Sequence, residues 1–294
     1  MFLPEEITAP VTEILSRKGL ISTKLTGIQR VAGGDINQSY GLQYGDAGFF
    51  LKLNDAYRYP DMLASEAKGL MLIRSAEAIR IPEVLYVDTL GASQVLLLEW
   101  IERGPVTKKS SELLGRQLAG MHRCTHTHFG LDFDNYMGSL KQANTPALNW
   151  SDFFIHQRLE PQVKLALDKH LLDAAMYRKF EELYKRLDNL YPKEPPALVH
   201  GDLWSGNYLV NRAGVPFLID PAVAYGYRET DIAMTLLFGG FDTAFYRAYQ
   251  ETFPLEKGWQ ERSQLWNLYP LLVHVNLFGR GYLSQLSACL NTWL

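Results

Sequence analysis

The chain has little cysteine. Only Cys124 and Cys289 occur in 294 residues. Two thiols cannot build a disulfide framework or a Cys-rich zinc site. No excess charge of one sign is present: 29 Lys and Arg stand against 32 Asp and Glu, a net charge of −3. That excludes a basic surface for wrapping nucleic acid or lying on an anionic membrane. Long apolar runs are also missing. The most apolar stretches, 95–101 and 232–241, are too short or interrupted to span a bilayer. The first residues, Met1-Phe-Leu-Pro-Glu-Glu6, lack the basic start and apolar run of a secretion signal. The expectation is a cytoplasmic, monomeric protein with both thiols reduced and no nucleic-acid or membrane partner.

What is present is an ordinary globular composition, 47% hydrophobic and 21% charged. The length suggests two domains or one bilobal unit. No internal repeat or low-complexity tract occurs. Residues 5–19 carry Ile7, Val11, Ile14 and Leu15 at helical spacing. Short strands are expected at 27–35, 38–44 and 49–53, joined by turns rich in Gly and Asp. Helical period returns over 62–75, and a further β pair is expected at 81–86 and 94–101. After Gly104-Pro105 the pattern is helical, with helices ending near His122, at 150–170 and at 174–191. Three short extended pieces follow at 197–200, 208–210 and 216–220, and helix resumes from Thr230. This is an α+β, bilobal plan. Residues 1–103 are expected to form a small β-rich lobe with a hinge, and 104–294 a larger, mainly helical lobe.

The chemistry concentrates in His200-Gly-Asp-Leu-Trp-Ser-Gly-Asn207, a loop between two strands. Asp202 and Asn207, five residues apart, can point at one spot. Thirteen residues later the extended piece Phe217-Leu-Ile-Asp220 supplies a second carboxylate. Two carboxylates and an amide oxygen are hard ligands that suit Mg²⁺ and its phosphate partners. Kinases use this spacing: Asp202 would be the base for the substrate hydroxyl, with Asn207 and Asp220 as metal ligands. Upstream, Lys52 alternates away from Leu51 and Leu53 onto the face of Phe50. Glu66 follows on the next helix, as the phosphate-anchoring Lys–Glu pair requires. Gly33 and Gly34, in Val31-Ala-Gly-Gly-Asp-Ile-Asn-Gln-Ser39, would let backbone N–H groups approach a phosphate. The turn equally suits a plain hairpin, since it lacks the G-x-G-x-x-G form. Leu98, Glu99, Trp100 and Ile101 would form the hinge, their backbone meeting the adenine edge of ATP.

Trp204, two residues from Asp202, fits either a ring packed on the acceptor or a buried aromatic anchoring the loop. His200 is expected to brace the loop. His122, His126 and His128 resemble a metal cluster, but their place at a helix end beside Cys124 favours a solvated or capping role.

Together these stretches resemble the fructosamine kinase (ketosamine-3-kinase) family, within the kinase-like fold shared with aminoglycoside and choline phosphotransferases. The resemblance spans nearly the whole chain. It is carried by Gly33-Gly-Asp-Ile-Asn37, Phe50-Leu-Lys52, Glu66-Ala-Lys-Gly-Leu70 and Leu114-Gly-Arg-Gln-Leu-Ala-Gly-Met-His122. Trp150-Ser-Asp-Phe-Phe154, Arg158-Leu-Glu-Pro-Gln162, the 200–207 loop with its His-Gly-Asp-Leu-Trp form, Ile219-Asp-Pro-Ala222 and Asn276-Leu-Phe-Gly279 extend it, as does Tyr225-Gly-Tyr-Arg-Glu229 with Asp231. It implies an ATP-dependent kinase that phosphorylates the 3-hydroxyl of ketosamines, with ATP and Mg²⁺ as cofactors. The phosphorylated adduct falls apart, so the activity is deglycation. The resemblance assigns Asp202 as base, Asn207 and Asp220 to metal, Lys52 and Glu66 to phosphate anchoring, and Asp231 to bracing the loop. Some relatives carry Cys in the Gly-rich turn. This chain has none there.

Two other readings use the same parts. An aminoglycoside or other small-molecule hydroxyl kinase would want an acidic pocket, for which Asp132, Asp134 and the region of Glu229 are candidates. A pseudokinase acting as an interaction module would lack a base, a metal ligand or the Lys, and none is lacking here.

Overall fold

A computed structural model describes residues 3–32 and 36–294. Gly33 and Gly34, expected at the phosphate-covering turn, lie outside the described residues. The first helix, α1 (Glu5–Arg17), is amphipathic and buries Ile7, Val11 and Leu15. A five-stranded antiparallel sheet follows: β1 (Gly27–Val31), β2 (Gln38–Tyr44), β3 (Ala47–Asp55), β4 (Val84–Leu90) and β5 (Ser93–Glu99). Their order is β1-β2-β3-β5-β4. One face, with Leu42, Leu51, Leu53 and Val95, is covered by α1. The opposite face takes α2 (Met62–Ser75), which buries Leu63, Ala67, Leu70 and Ile73. Each of these Leu and Ile side chains is worth about 1.5–3 kcal/mol on burial. The start of α2 is tied to the sheet by Gln94 of β5. Its Oε1 accepts from Leu63 N–H at 2.9 Å, and its amide donates to Tyr59 O.

The expected strand at 81–86 is displaced to β4. Pro82 has no N–H and a fixed φ, so pairing with β5 begins only at Val84.

The chain then leaves the sheet through Gly104. A Cβ there would lie 2.5 Å from Asn211 O, so only glycine passes. Next comes α3 (Lys108–His122), opened by a capping box between Thr107 and Ser110. A hairpin that the periodicity did not reveal follows, β6 (Asn135–Met137) and β7 (Leu140–Gln142). The helix expected over 150–170 is divided into α4 (Trp150–Phe153), a π-helical turn (Phe154–Leu159) and α5 (Glu160–Asp168). Pro161 cannot donate to Gln157 O, and the Arg158 guanidinium takes that carbonyl instead at 3.0 Å.

After α6 (Ala174–Arg186) the chain makes β8 (Ala197–Val199), β9 (Tyr208–Val210), β10 (Pro216–Leu218) and β11 (Ala224–Gly226). Here β9 pairs with β10 and β8 with β11, the last strand also unforeseen. Helices α7 (Glu229–Leu237), α8 (Thr243–Thr252), α9 (Trp259–Trp266), α10 (Leu268–Phe278) and α11 (Leu283–Asn291) complete the chain. No described helix is long and apolar enough to cross a membrane. This is the bilobal, kinase-like α+β arrangement: a β-rich N-terminal portion against a helical one.

One apolar cluster runs across both portions. It joins α2 and β5 (Leu70, Leu96, Leu98) to α3 (Leu114, Leu118) and to Leu198, Leu203, Leu218 and Val223, which flank the 200–220 region. This shared core fixes the sheet relative to the loop that carries the polar residues.

Candidate active site

The period of β3 sends Leu51 and Leu53 into the α1 side and Lys52 to the other face. Lys52 is only 3% exposed. Its Nζ lies 2.7 Å from Glu66 Oε1 on α2 and 2.6 Å from Asp220 Oδ1. Burial lowers the ammonium's pKa, but the carboxylates of Asp220 and Glu66 outweigh it and hold Lys52 above its ordinary range. The cation is therefore permanent. It bridges the sheet, the helix and the polar loop, pairing with residues 14 and 168 positions away.

The loop after β8 is held from below. Asp231 on α7 accepts from His200 N–H at 2.7 Å and from Gly201 N–H at 2.9 Å. Burial raises the Asp231 pKa, yet hydrogen bonding from His122 and the other donors hold it below the usual carboxylate range. His122 Nε2 lies 3.1 Å from the same carboxylate, and its Nδ1 lies 2.8 Å from Tyr249 OH. His122 is thus a buried brace, which corrects the solvated or capping role expected from its helix-end position. Its partners, 109 and 127 residues away, are invisible in local spacing. His126 is exposed and His128 is half-buried. Among the described residues no group of three His, Cys, Asp or Glu is placed to hold a metal.

His200 accepts from Asp202 N–H at its Nδ1 (3.2 Å) and donates from Nε2 to Ile219 O (2.9 Å). This pattern fixes the neutral tautomer, and burial pushes its pKa down in agreement. Gly201 has φ +82°, and a Cβ there would sit 2.1 Å from Ala222 O. Glycine at 201 is required by both conformation and space.

Asp202 and Asn207 meet as expected. Asn207 Nδ2 donates to Asp202 O at 2.8 Å and to Asp202 Oδ2 at 2.9 Å. Burial pushes the Asp202 carboxyl up to about 7. Asn207 opposes this, while the charges of Asp220 and Asp231 add to it. Ile219 N–H donates to Asn207 O at 3.0 Å, tying the 200–207 loop to the segment that presents Asp220. Asp220 does not end the strand, as its position suggested. It lies two residues beyond β10 in a left-handed conformation, φ +55°, that Asp tolerates better than most residues. That turn swings its carboxylate toward Lys52.

The donors fit a hard cation. Asn207 spends its amide N–H on Asp202, and its Oδ1 takes no hydrogen bond among the described residues. Asp220 carries one oxygen on Lys52 and has the other to offer. Amide and carboxylate oxygens suit Mg²⁺.

Leu98 is a buried residue of β5, Glu99 closes that strand, and Trp100 and Ile101 begin the crossing to the helical portion. Trp204 is 40% exposed, which excludes a buried anchor. Its ring lies over Gly206, where a Cβ would approach to 2.2 Å.

Sequence reasoning missed the β6–β7 hairpin as a support. Asn135 donates to Val223 O, Gln142 to Asn135 Oδ1, and Tyr269 OH to Gln142 Oε1. Tyr136 OH reaches Pro60 O ahead of α2. The hairpin thereby braces the Asp220 segment and the Glu66 helix together. Glu229, a candidate for an acidic pocket, is buried and bound by Arg262 at 2.6 Å and by Trp266 Nε1 at 2.9 Å. It faces no ligand.

Comparison with known proteins agrees with this geometry. The sequence pattern of the fructosamine kinase family matches residues 8–294. A probable ketoamine kinase of Enterococcus faecium is 39% identical over 277 residues, 93% of this chain and 98% of the relative. The chloroplastic protein-ribulosamine 3-kinase of Arabidopsis thaliana is 36% identical over 291 residues, 97% of this chain and 87% of the relative. A crystal structure from Thermobifida fusca, assigned as a fructosamine-3-kinase, superposes with a TM-score of 0.89 at 33% identity over 99% of both chains. An aminoglycoside phosphotransferase structure shares the fold alone, at 14% identity, with a TM-score of 0.62 and 98% and 99% coverage. With the family pattern matched over almost its full length and relatives 36–39% identical across more than nine-tenths of the chain, this chain belongs to the fructosamine kinase family.

Proposed function

We infer that this protein transfers the γ-phosphoryl group of ATP to the 3-hydroxyl of ketosamines, the sugar adducts of amines and protein lysines. The observation that carries the reading is that Lys52, Glu66 and Asp220 meet, that Asn207 holds Asp202, and that the Ile219 N–H bond to Asn207 O joins the two groups, although Lys52 and Asp202 are 150 residues apart in sequence. The family's relatives named for ketoamine and ribulosamine phosphorylation support the acceptor class.

In this reading residues 1–103 hold the nucleotide, with Gly33 and Gly34 at its phosphates and the 98–101 segment at its base. Residues 104–294 hold the acceptor. Lys52, fixed by Glu66, presents its ammonium to the α- and β-phosphates. Asp202 accepts the hydroxyl proton and orients the oxygen in line with phosphorus. Its pKa near 7 matches that task, since a base poised near the working pH combines availability with basicity. Asn207 holds Asp202 in place through its N–H and, with Asp220, would hold Mg²⁺. When bound, that ion neutralises charge on the phosphates. Trp204, exposed two residues from the base, offers a face to the sugar or to the apolar stem of the modified lysine. The C3 phosphate is a better leaving group than hydroxyl: after enolisation of the adduct it departs as inorganic phosphate, and water hydrolyses the resulting imine to free the amine and a deoxy sugar.

An ATP-consumption assay over fructosyl-lysine, ribulosyl-lysine and kanamycin tests the assignment. Turnover is expected with the ketosamines and not with kanamycin. Turnover with kanamycin alone would overturn it in favour of an aminoglycoside kinase. The same assay has a predicted pH profile. Asp202 must be unprotonated to act, so kcat/KM for ATP should fall as pH drops through about 7. A profile flat from pH 5 to 8 would contradict the role given to Asp202.

A further inference from the structure

The Lys52 face of the sheet has a second feature. Gly41 pairs with Phe50 across β2 and β3, and Gly48 and Phe50 are even steps from Lys52, so all four residues share one face. Trp100, just past β5, turns back over this face and lays its indole on the two glycines. A Cβ on Gly41 would lie 3.0 Å from the ring, and one on Gly48 3.3 Å from it. Phe50 flanks the indole, with ring centroids 6.3 Å apart and planes at 41°. Trp100 nonetheless remains 38% exposed. At about 3.3 Å per residue, Phe50 and Gly48 lie roughly 7 and 13 Å along β3 from Lys52. An exposed aromatic surface thus sits about one nucleoside length from the ammonium that would hold the phosphates.

We propose that the Trp100 indole is the surface on which the nucleotide's purine ring stacks, so that residue 100 sets affinity for the base. This rests on the kinase reading above and assigns a side chain where only a hinge backbone was expected. Gly41 and Gly48 are the seat of the ring. Side chains at either position would push the indole outward into the cleft.

Calorimetric titration with Mg²⁺·ADP, in the absence of any acceptor, tests the proposal. Trp100→Ala should weaken ADP binding about 5- to 150-fold, the range for loss of one base–aromatic stack. Trp100→Phe should restore most of it. Inorganic tripolyphosphate, which has no base, should bind wild type and Trp100→Ala alike. Unchanged or tighter ADP binding by Trp100→Ala would overturn the proposal, the latter by showing that the indole occupies the base's place. Equal losses for ADP and tripolyphosphate would also overturn it, because the ring would then be supporting the whole cleft. If wild-type protein binds no ADP, the kinase reading itself fails, an outcome distinct from a Trp100→Ala protein that binds ADP like wild type.

Discussion

An Asp202→Asn protein is expected to lose about 10²- to 10⁴-fold in kcat, the usual contribution of a positioned general base. Its Kd for Mg²⁺·ADP should stay within about threefold of wild type, because that group makes no proposed contact with the nucleotide. Asn is the informative replacement. Its carbonyl can still accept from Asn207 Nδ2, so the loop keeps its shape while the base is lost. Stability should move the other way. The Asp202 pKa is raised in the folded chain to about 7, from an ordinary 3.8, so the folded state disfavours the charged form. That penalty is absent below the ordinary value, grows between the two values and is complete above pH 7. The Asn protein should therefore unfold at a higher temperature than wild type at pH 8 and lose this advantage near pH 4. Wild-type turnover in the Asn protein would remove Asp202 from the chemistry.

Lys52→Met should be the most damaging single change to the architecture of the cleft. It strips the shared cation from two carboxylates, leaving Glu66 buried and facing Asp220 without compensation. Breaking a buried ion pair from one side costs about 3–5 kcal/mol. Asp220 keeps 45% of its side chain exposed and is partly screened, which puts the expected cost near the lower end, about 3 kcal/mol. For a chain of 294 residues that corresponds to a fall in Tm of roughly 5 °C. Nucleotide affinity should drop about 10- to 150-fold, the value of a hydrogen bond to a charged group. Adding Glu66→Gln to Lys52→Met should recover part of the stability and none of the affinity. A single variant melting within 2 °C of wild type would show that the bridge does not hold the sheet to the helical portion.

The sequence made some of this arrangement legible and hid the rest for identifiable reasons. The face of Lys52 follows from strand period alone, since Leu51 and Leu53 must turn inward together. The bounds of α2 follow from its apolar set, and the meeting of Asp202 with Asn207 from their spacing on a short loop. The β6–β7 hairpin was illegible because its short strands, Asn135-Tyr-Met137 and Leu140-Lys-Gln142, lack the apolar run that marks β8, β9 and β10. Its hold on Ala222 and Val223 spans 80 and 88 residues. The burial of His122 depends on Asp231 and Tyr249, and the left-handed turn at Asp220 on the demand of Lys52 from the other portion. Such features arise only when distant segments supply each other's partners. Trp100 belongs with them: its ring reaches from the end of β5 over Gly48 of β3 to Gly41 of β2, neighbours that only strand pairing supplies.

The central claim is that these groups pass phosphate to one particular hydroxyl of a glycated amine. ³¹P and ¹³C NMR of the product formed from ATP and ribulosyl-lysine, taken before it decomposes, tests this most directly. The account predicts a phosphate ester whose phosphorus couples to carbon 3 of the sugar, formed by wild type and not by Asp202→Asn. A phosphate on another carbon, or ATP hydrolysed to free phosphate with the sugar untouched, would contradict it.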